Sequence, residues 1–95
     1  MVWLNGGPGC YSFNSGLMEV GPLRVVLKAN GKLQEVEAPW SKYANVLFIN
    51  QPTGTGYSGG PKNEFVGELE ESTQNLMNLL VRFFKIFPEY SNMDL

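Results

Sequence analysis

Trp3-Leu4-Asn5-Gly6-Gly7-Pro8-Gly9-Cys10 is the stretch whose reading decides the rest of the chain. The apolar run from Met1 to Leu4 enters it like the end of a buried strand. Asn5 then opens a turn in which Gly6, Gly7 and Gly9 lack a Cβ and Pro8 fixes φ. Adjacent glycines accept φ > 0 and let another group come close to bare backbone. A loop whose N–H groups point into open space is what an oxyanion hole requires. Charge developing on a carbonyl oxygen needs preorganised donors about 3 Å away. Read from these residues alone, Gly-Gly-Pro-Gly is equally a plain tight turn.

Working outward, Cys10–Met18 is rich in small residues and predicts a loop leading into a short helix that ends near Gly21-Pro22. Leu23–Leu27 is a β-branched run that predicts a strand. Asn30-Gly31 is a strong turn dipeptide, and Lys32–Val36 predicts the returning half of a hairpin. Glu37–Lys42 reads as loop. Val46, Leu47, Phe48 and Ile49 form a continuous apolar run, which fits a strand buried on both faces of a parallel sheet.

Gln51–Asn63 is a Gly/Pro-rich loop, and a helix is expected from near Glu64. Leu69, Leu76, Leu80, Phe83 and Phe87 recur at intervals of 7, 4, 3 and 4, which is one helical stripe and predicts core. Acidic Glu64, Glu68, Glu70 and Glu71 come early and basic Arg82 and Lys85 late, as the helix dipole favours. Pro88 ends the helix. Strand, loop, strand and helix in this order predict an α/β fold, with all 95 residues forming one domain-sized segment.

The octet resembles the W-L-N-G-G-P-G-C-S-S signature of serine carboxypeptidases, a family of α/β-hydrolases. Further matches follow in the family's order: Glu19-Val20-Gly21-Pro22, Pro39-Trp40-Ser41, and Ala44-Asn45-Val46-Leu47-Phe48. Then come Gln51-Pro52-Thr53-Gly54-Thr55-Gly56-Tyr57-Ser58 and Phe87-Pro88-Glu89-Tyr90. The resemblance covers essentially the whole chain and implies a partial α/β-hydrolase fold. Gly54-Thr55-Gly56-Tyr57-Ser58-Gly59 is also a literal G-x-G-x-x-G. It is a false positive for dinucleotide binding, because Gly60-Pro61-Lys62-Asn63 intervenes before any helix that could receive a pyrophosphate.

The chain contains no histidine. A Ser-His-Asp mechanism needs an imidazole to take and return the serine proton. No G-x-S-x-G nucleophile elbow is present either. In the family that elbow, Gly-Glu-Ser-Tyr-Ala-Gly, lies on the strand after the helix that exits through Pro-Glu-Tyr. The expectation is therefore a fragment truncated before the nucleophile elbow and inactive by itself.

The resemblance implies particular roles. A backbone N–H of the Gly6-Gly7 loop, that of Gly7, binds the oxyanion, and the second donor follows the missing serine. Asn5 and Glu19 recognise the free α-carboxylate of a substrate, with a second Glu just before the nucleophile and with Trp3 supporting the network. The chemistry suits those types: an amide NH₂ donates to a carboxylate, and so does a carboxylic acid that shares a proton with a neighbouring acid. Read from its neighbours alone, Glu19 is a solvated charge beside a turn. Asn14 and Met18 fall where the family lines the pocket for the C-terminal side chain, or are ordinary helix packing. Tyr11 departs from the family, which has Ser after this cysteine.

Cys10 is the single cysteine. It reads either as a small buried hydrophobe or, by the resemblance, as half of a disulfide with a cysteine outside this chain. The latter implies a secretory-pathway parent, vacuolar, lysosomal or secreted. The chain itself shows no charged n-region and apolar h-region of a signal peptide. A net charge of −2 and basic residues that never run in pairs give no footprint for nucleic acid or an anionic membrane. No cofactor or metal is implied. The expected partners are peptide or protein C-termini and the remainder of the parent chain. The favoured reading is a fragment of a serine-type carboxypeptidase. The alternatives are a fragment of a carboxypeptidase-like acyltransferase and a truncated interaction module without catalysis.

Overall fold

The computed structural model describes residues 1–26 and 30–95. The opening apolar run forms strand β1, Val2–Leu4, and the second one forms β4, Leu47–Ile49. The two pair in parallel, Val2 opposite Leu47, Trp3 opposite Phe48 and Leu4 opposite Ile49. The Leu47 N–H donates to the Met1 carbonyl at 3.0 Å and extends the ladder. Parallel pairing puts the loops that leave both strands, 5–11 and 50–60, at the same end of the sheet. In α/β sheets that end is where ligands bind.

Between the strands lie helix α1, Ser12–Met18, and an antiparallel hairpin of β2, Leu23–Val26, and β3, Lys32–Glu35. Asn30 and Gly31 both take positive φ, 55° and 71°, which is the conformation the Asn-Gly dipeptide promises. The expected strand residue Leu27 lies outside the described residues. The Val36 N–H donates to the Pro22 carbonyl at 3.0 Å, so the pairing runs just past β3. The hairpin forms a separate two-stranded sheet rather than joining β1 and β4. Its four β3 residues are all exposed.

α1 ends at Met18, earlier than Gly21-Pro22. The N–H groups of Glu19 and Val20 both donate to the Ser15 carbonyl, at 3.0 and 2.9 Å, and turn the chain back on itself. The turn is so close that a Cβ on Gly21 would lie 1.7 Å from the Gly16 carbonyl oxygen. Only glycine fits there. α1 lays Gly16 over the Phe48 ring of β4, where even a methyl group would be in contact at 3.5 Å.

Several boundaries differ from expectation. The segment read as loop at Glu37–Lys42 contains a 3₁₀ turn over Trp40–Lys42, entered through extended Pro39. A separate 3₁₀ turn occupies Lys62–Glu64, and the long helix α2 runs Leu69–Ile86, beginning later than Glu64. Phe65 and Glu68 are extended, with ψ of 123° and 143°, so the acidic run lies partly ahead of the helix. A 3₁₀ turn over Pro88–Tyr90 follows α2.

The expected apolar stripe is only partly a core face. Leu76, Leu80 and Phe83 are half-buried together with Phe84, while Leu69 is 84% exposed and Phe87 is also exposed. β4 is likewise less enclosed than a strand buried on both faces: Ile49 is buried, but Leu47 and Phe48 are half-buried. The best-buried side chains are the polar Ser12 and Ser15, followed by Thr55 and Ile49. They mark the contact between α1, the end of β4 and the loop after it.

Candidate active site

β1 delivers Asn5 and the glycine loop directly from its C-terminal end. Gly7 sits at φ 131° and Gly9 at φ 104°, a region that a side chain rarely tolerates. A Cβ on Gly7 would press on the Cys10 nitrogen at 3.2 Å and its Sγ at 3.3 Å, whereas one on Gly6 would meet nothing within 4 Å. Among the described residues, neither the Gly6 nor the Gly7 N–H has an intramolecular acceptor. Gly6 to Cys10 are all exposed.

The loop is held from behind by α1. The Asn5 N–H donates to Ser12 Oγ at 2.9 Å, and Ser12 Oγ donates onward to the Ile49 carbonyl. One buried hydroxyl thus joins the ends of both parallel strands. A second, Ser15 Oγ, donates to Asn5 Oδ1 at 3.0 Å. Both serines are essentially sealed from solvent, so each bond is made in a low-dielectric setting where an unpaired group would be costly.

The expected substrate-binding residues cluster around this helix to different degrees. Asn5 is bonded to it directly. Asn14 is half-buried and Met18 exposed, one turn apart on α1. Glu19 follows as the C-terminal cap of α1, with an exposed side chain and its N–H on the Ser15 carbonyl. Trp3 stands apart from α1 and packs edge-on against Trp40, ring centroids 5.3 Å apart at 84°. Its indole Nε1 is buried without a hydrogen-bond partner among the described residues. A buried N–H donor left unpaired marks a place where an acceptor belongs. Cys10 is a free, exposed thiol rather than a small buried hydrophobe.

The second loop of this end is equally fixed. Asn50 Oδ1 accepts the Phe13 N–H at 3.1 Å, and Ser58 Oγ donates to the Asn50 carbonyl at 2.6 Å. Gly56, at φ 55°, lies so close that a Cβ would be 2.6 Å from Tyr11 Cβ and 2.8 Å from Asn50 Nδ2. Tyr11, at the position that departs from the family, therefore packs over the second loop. Tyr57 projects from that loop and meets the Phe13 ring edge-on at 6.3 Å.

Sequence reasoning singled out none of Ser12, Ser15, Trp40 or Asn50 as site-forming. The signal available was weak: two serines and a glycine, at 12, 15 and 16, on one face of a helix too short to stand alone. The motif Pro39-Trp40-Ser41 was visible, but only folding brings its indole to Trp3. A groove of about 620 Å³ lies between Val2, Leu47 and the α2 residues Phe83 and Phe84, and a smaller one of about 280 Å³ lies between Asn50, Gln51 and Leu76. Neither is lined by Asn5, Gly6, Gly7 or Glu19. Among the described residues, no three His, Cys, Asp or Glu side chains gather where they could hold a metal ion. Among the described residues, no helix is long and apolar enough to cross a membrane.

A strand-fed glycine loop whose N–H groups have no acceptor among the described residues is thus backed by a helix at the carboxyl end of a parallel strand pair. The chain belongs to the serine carboxypeptidase family, whose model matches residues 1–95. It is 70% identical over 95 residues to the pheromone-processing carboxypeptidase KEX1 of Puccinia graminis f. sp. tritici, which covers all of this chain and 14% of that protein. It is 45% identical over 95 residues to the pheromone-processing carboxypeptidase KEX1 of Uncinocarpus reesii, again all of this chain and 15% of that protein. Among solved structures, that of Kex1(delta)p, a prohormone-processing carboxypeptidase from Saccharomyces cerevisiae, matches with a TM-score of 0.85 at 46% identity. The match covers 93% of this chain and 20% of that one. The α/β arrangement is thus that of a part of a Kex1-type carboxypeptidase, and the chain spans about a seventh of the length of the curated relatives it matches.

Proposed function

We propose that this chain is the oxyanion-loop and carboxylate-recognition segment of a Kex1-type serine carboxypeptidase. The parent enzyme removes C-terminal residues from peptides through a serine acyl-enzyme, with its nucleophile, imidazole base and carboxylate outside these 95 residues. The observation that carries the reading is the glycine loop at the end of β1, with Gly7 at φ 131° and its N–H free. A tetrahedral oxyanion there gains a preorganised donor at no cost of reorganisation.

Asn5 and Glu19 support the exopeptidase half of the reading. Both are tethered to Ser15, one through its side chain and one through its N–H. A free α-carboxylate at that place accepts from the Asn5 amide. The unpaired Trp3 indole N–H suits an acid from the rest of the enzyme, which would orient the clamp. Asn14 and Met18 then face the C-terminal side chain. Cys10, exposed on the loop, pairs with a cysteine elsewhere in the parent. The relatives process pheromones and prohormones, so the natural substrates are peptide precursors met in the secretory pathway.

The test is a substitution in the full-length enzyme that carries this segment. Glu19→Ala should reduce kcat/KM for peptides with a free C-terminal carboxylate by about one to two orders of magnitude, the worth of one charge-assisted hydrogen bond. The same peptides as C-terminal amides should be much less affected. Equal loss on acid and amide would make Glu19 a structural residue and remove the main support for the clamp.

A further inference from the structure

Among the described residues, both ends of the expected clamp meet on Ser15. Its side chain has no exposed surface. Its hydroxyl donates to Asn5 Oδ1 at 3.0 Å. Its carbonyl accepts the N–H of Glu19 at 3.0 Å, the main-chain bond that closes α1. The Asn5 main chain is fixed separately, through its N–H on Ser12 Oγ.

A carboxamide has an acceptor at one end and two donors at the other. The Ser15 hydroxyl could also accept, but it is buried and among the described residues Oδ1 is the acceptor of its proton, so turning the amide over would leave that O–H unpaired. Among the described residues the Asn5 NH₂ group has no acceptor, and Asn5 is only half-buried, so its donors are unspent. We propose that Ser15 is a positioning residue: its Oγ–H···Oδ1 bond fixes the Asn5 amide with the NH₂ group outward, where it donates to the terminal carboxylate of a peptide substrate. This rests on the reading of Asn5 as a carboxylate-recognition residue. Without the hydroxyl the amide is free to turn over. Its oxygen would then face the substrate, repelling a carboxylate and accepting from a C-terminal amide.

The bond to Glu19 runs through the Ser15 main chain, so substituting the side chain tests Asn5 alone. The experiment uses the full-length enzyme with Ser15→Ala, and with Ser15→Cys as a variant that keeps the volume and carries only a weak S–H donor. KM and kcat are measured for one peptide as its free acid and as its C-terminal amide. Both variants should raise KM for the acid about tenfold, the effect of one lost hydrogen bond, with kcat within about twofold. KM for the amide should not rise. Equal weakening of acid and amide, or an acid-to-amide ratio that stays put in both variants, overturns the proposal. If the unsubstituted enzyme shows no preference for the free acid, the assignment of Asn5 falls and takes Ser15 with it. A wild-type preference that survives both substitutions removes Ser15 alone.

Discussion

Gly7 carries two demands that only a residue without a Cβ meets. Its φ of 131° is closed to side chains, and a Cβ would lie 3.2 Å from the Cys10 nitrogen. Both demands arise because the chain turns sharply after β1. Gly7→Ala keeps the N–H but strains the turn, so the donor is displaced from where an oxyanion would sit. In the full-length enzyme kcat should fall on the order of 10²-fold with little change in KM, as for loss of one oxyanion donor. A KM effect without a kcat effect would place the loop in substrate binding instead.

At the scale of elements, α1 is too short to be stable alone and lacks a side-chain N-cap. It exists because its buried face is bonded to two strands. Ser12 is the centre of that joint: it accepts from Asn5 at the end of β1 and donates to Ile49 at the end of β4. Ser12→Ala would remove at once the partner of a part-buried N–H and of a buried carbonyl. That should cost about 1–3 kcal/mol of unfolding free energy, read by urea denaturation of the full-length enzyme. A change well below that range would mean that water replaces the hydroxyl. The Asn30-Gly31 turn belongs to the same scale but not to the same system. It shapes an exposed hairpin that makes its own two-stranded sheet, remote in the ladder from β1 and β4.

Across the whole molecule, polar joints are better buried than apolar surface. The Cα radius of gyration is 15.0 Å, where a self-contained domain of this length has about 12 Å. α2 has no buried residue, and Met77, Leu79, Val81 and Ile86 are exposed on it. β1 and β4 form a sheet of only two strands, with a groove of about 620 Å³ between their edge and the phenylalanines of α2. The 95-residue chain expressed alone should therefore self-associate, because open strand edges and apolar helix surface have no cover. Sedimentation velocity would show it, and a clean monomer with a cooperative thermal transition would contradict it. The same isolated chain, having no histidine, should not be labelled by a serine-reactive fluorophosphonate. Stoichiometric labelling at any of its serines would overturn that expectation.

The sequence by itself determined the features set by local chemistry. The apolar runs at Met1–Leu4 and Val46–Ile49 specify strands, Asn30-Gly31 a turn at positive φ, and Gly6-Gly7 a loop able to bare its N–H groups. The ordered motifs from Trp3 to Tyr90 specify the family. The start of α2 was less legible, because glutamates favour a helix N-terminus without fixing which of them begins it. The Leu/Phe stripe is exposed at Leu69 and Phe87, because periodicity names a face but not what lies against it. What only the tertiary structure decided are the contacts between residues distant in the chain: Ser12 between Asn5 and Ile49, Trp3 on Trp40, and Asn50 on Phe13. The physical reason is that a hydroxyl or an indole carries the same local propensity whether it meets solvent or a partner. Its role is set when folding brings the partner within hydrogen-bonding reach and removes the water.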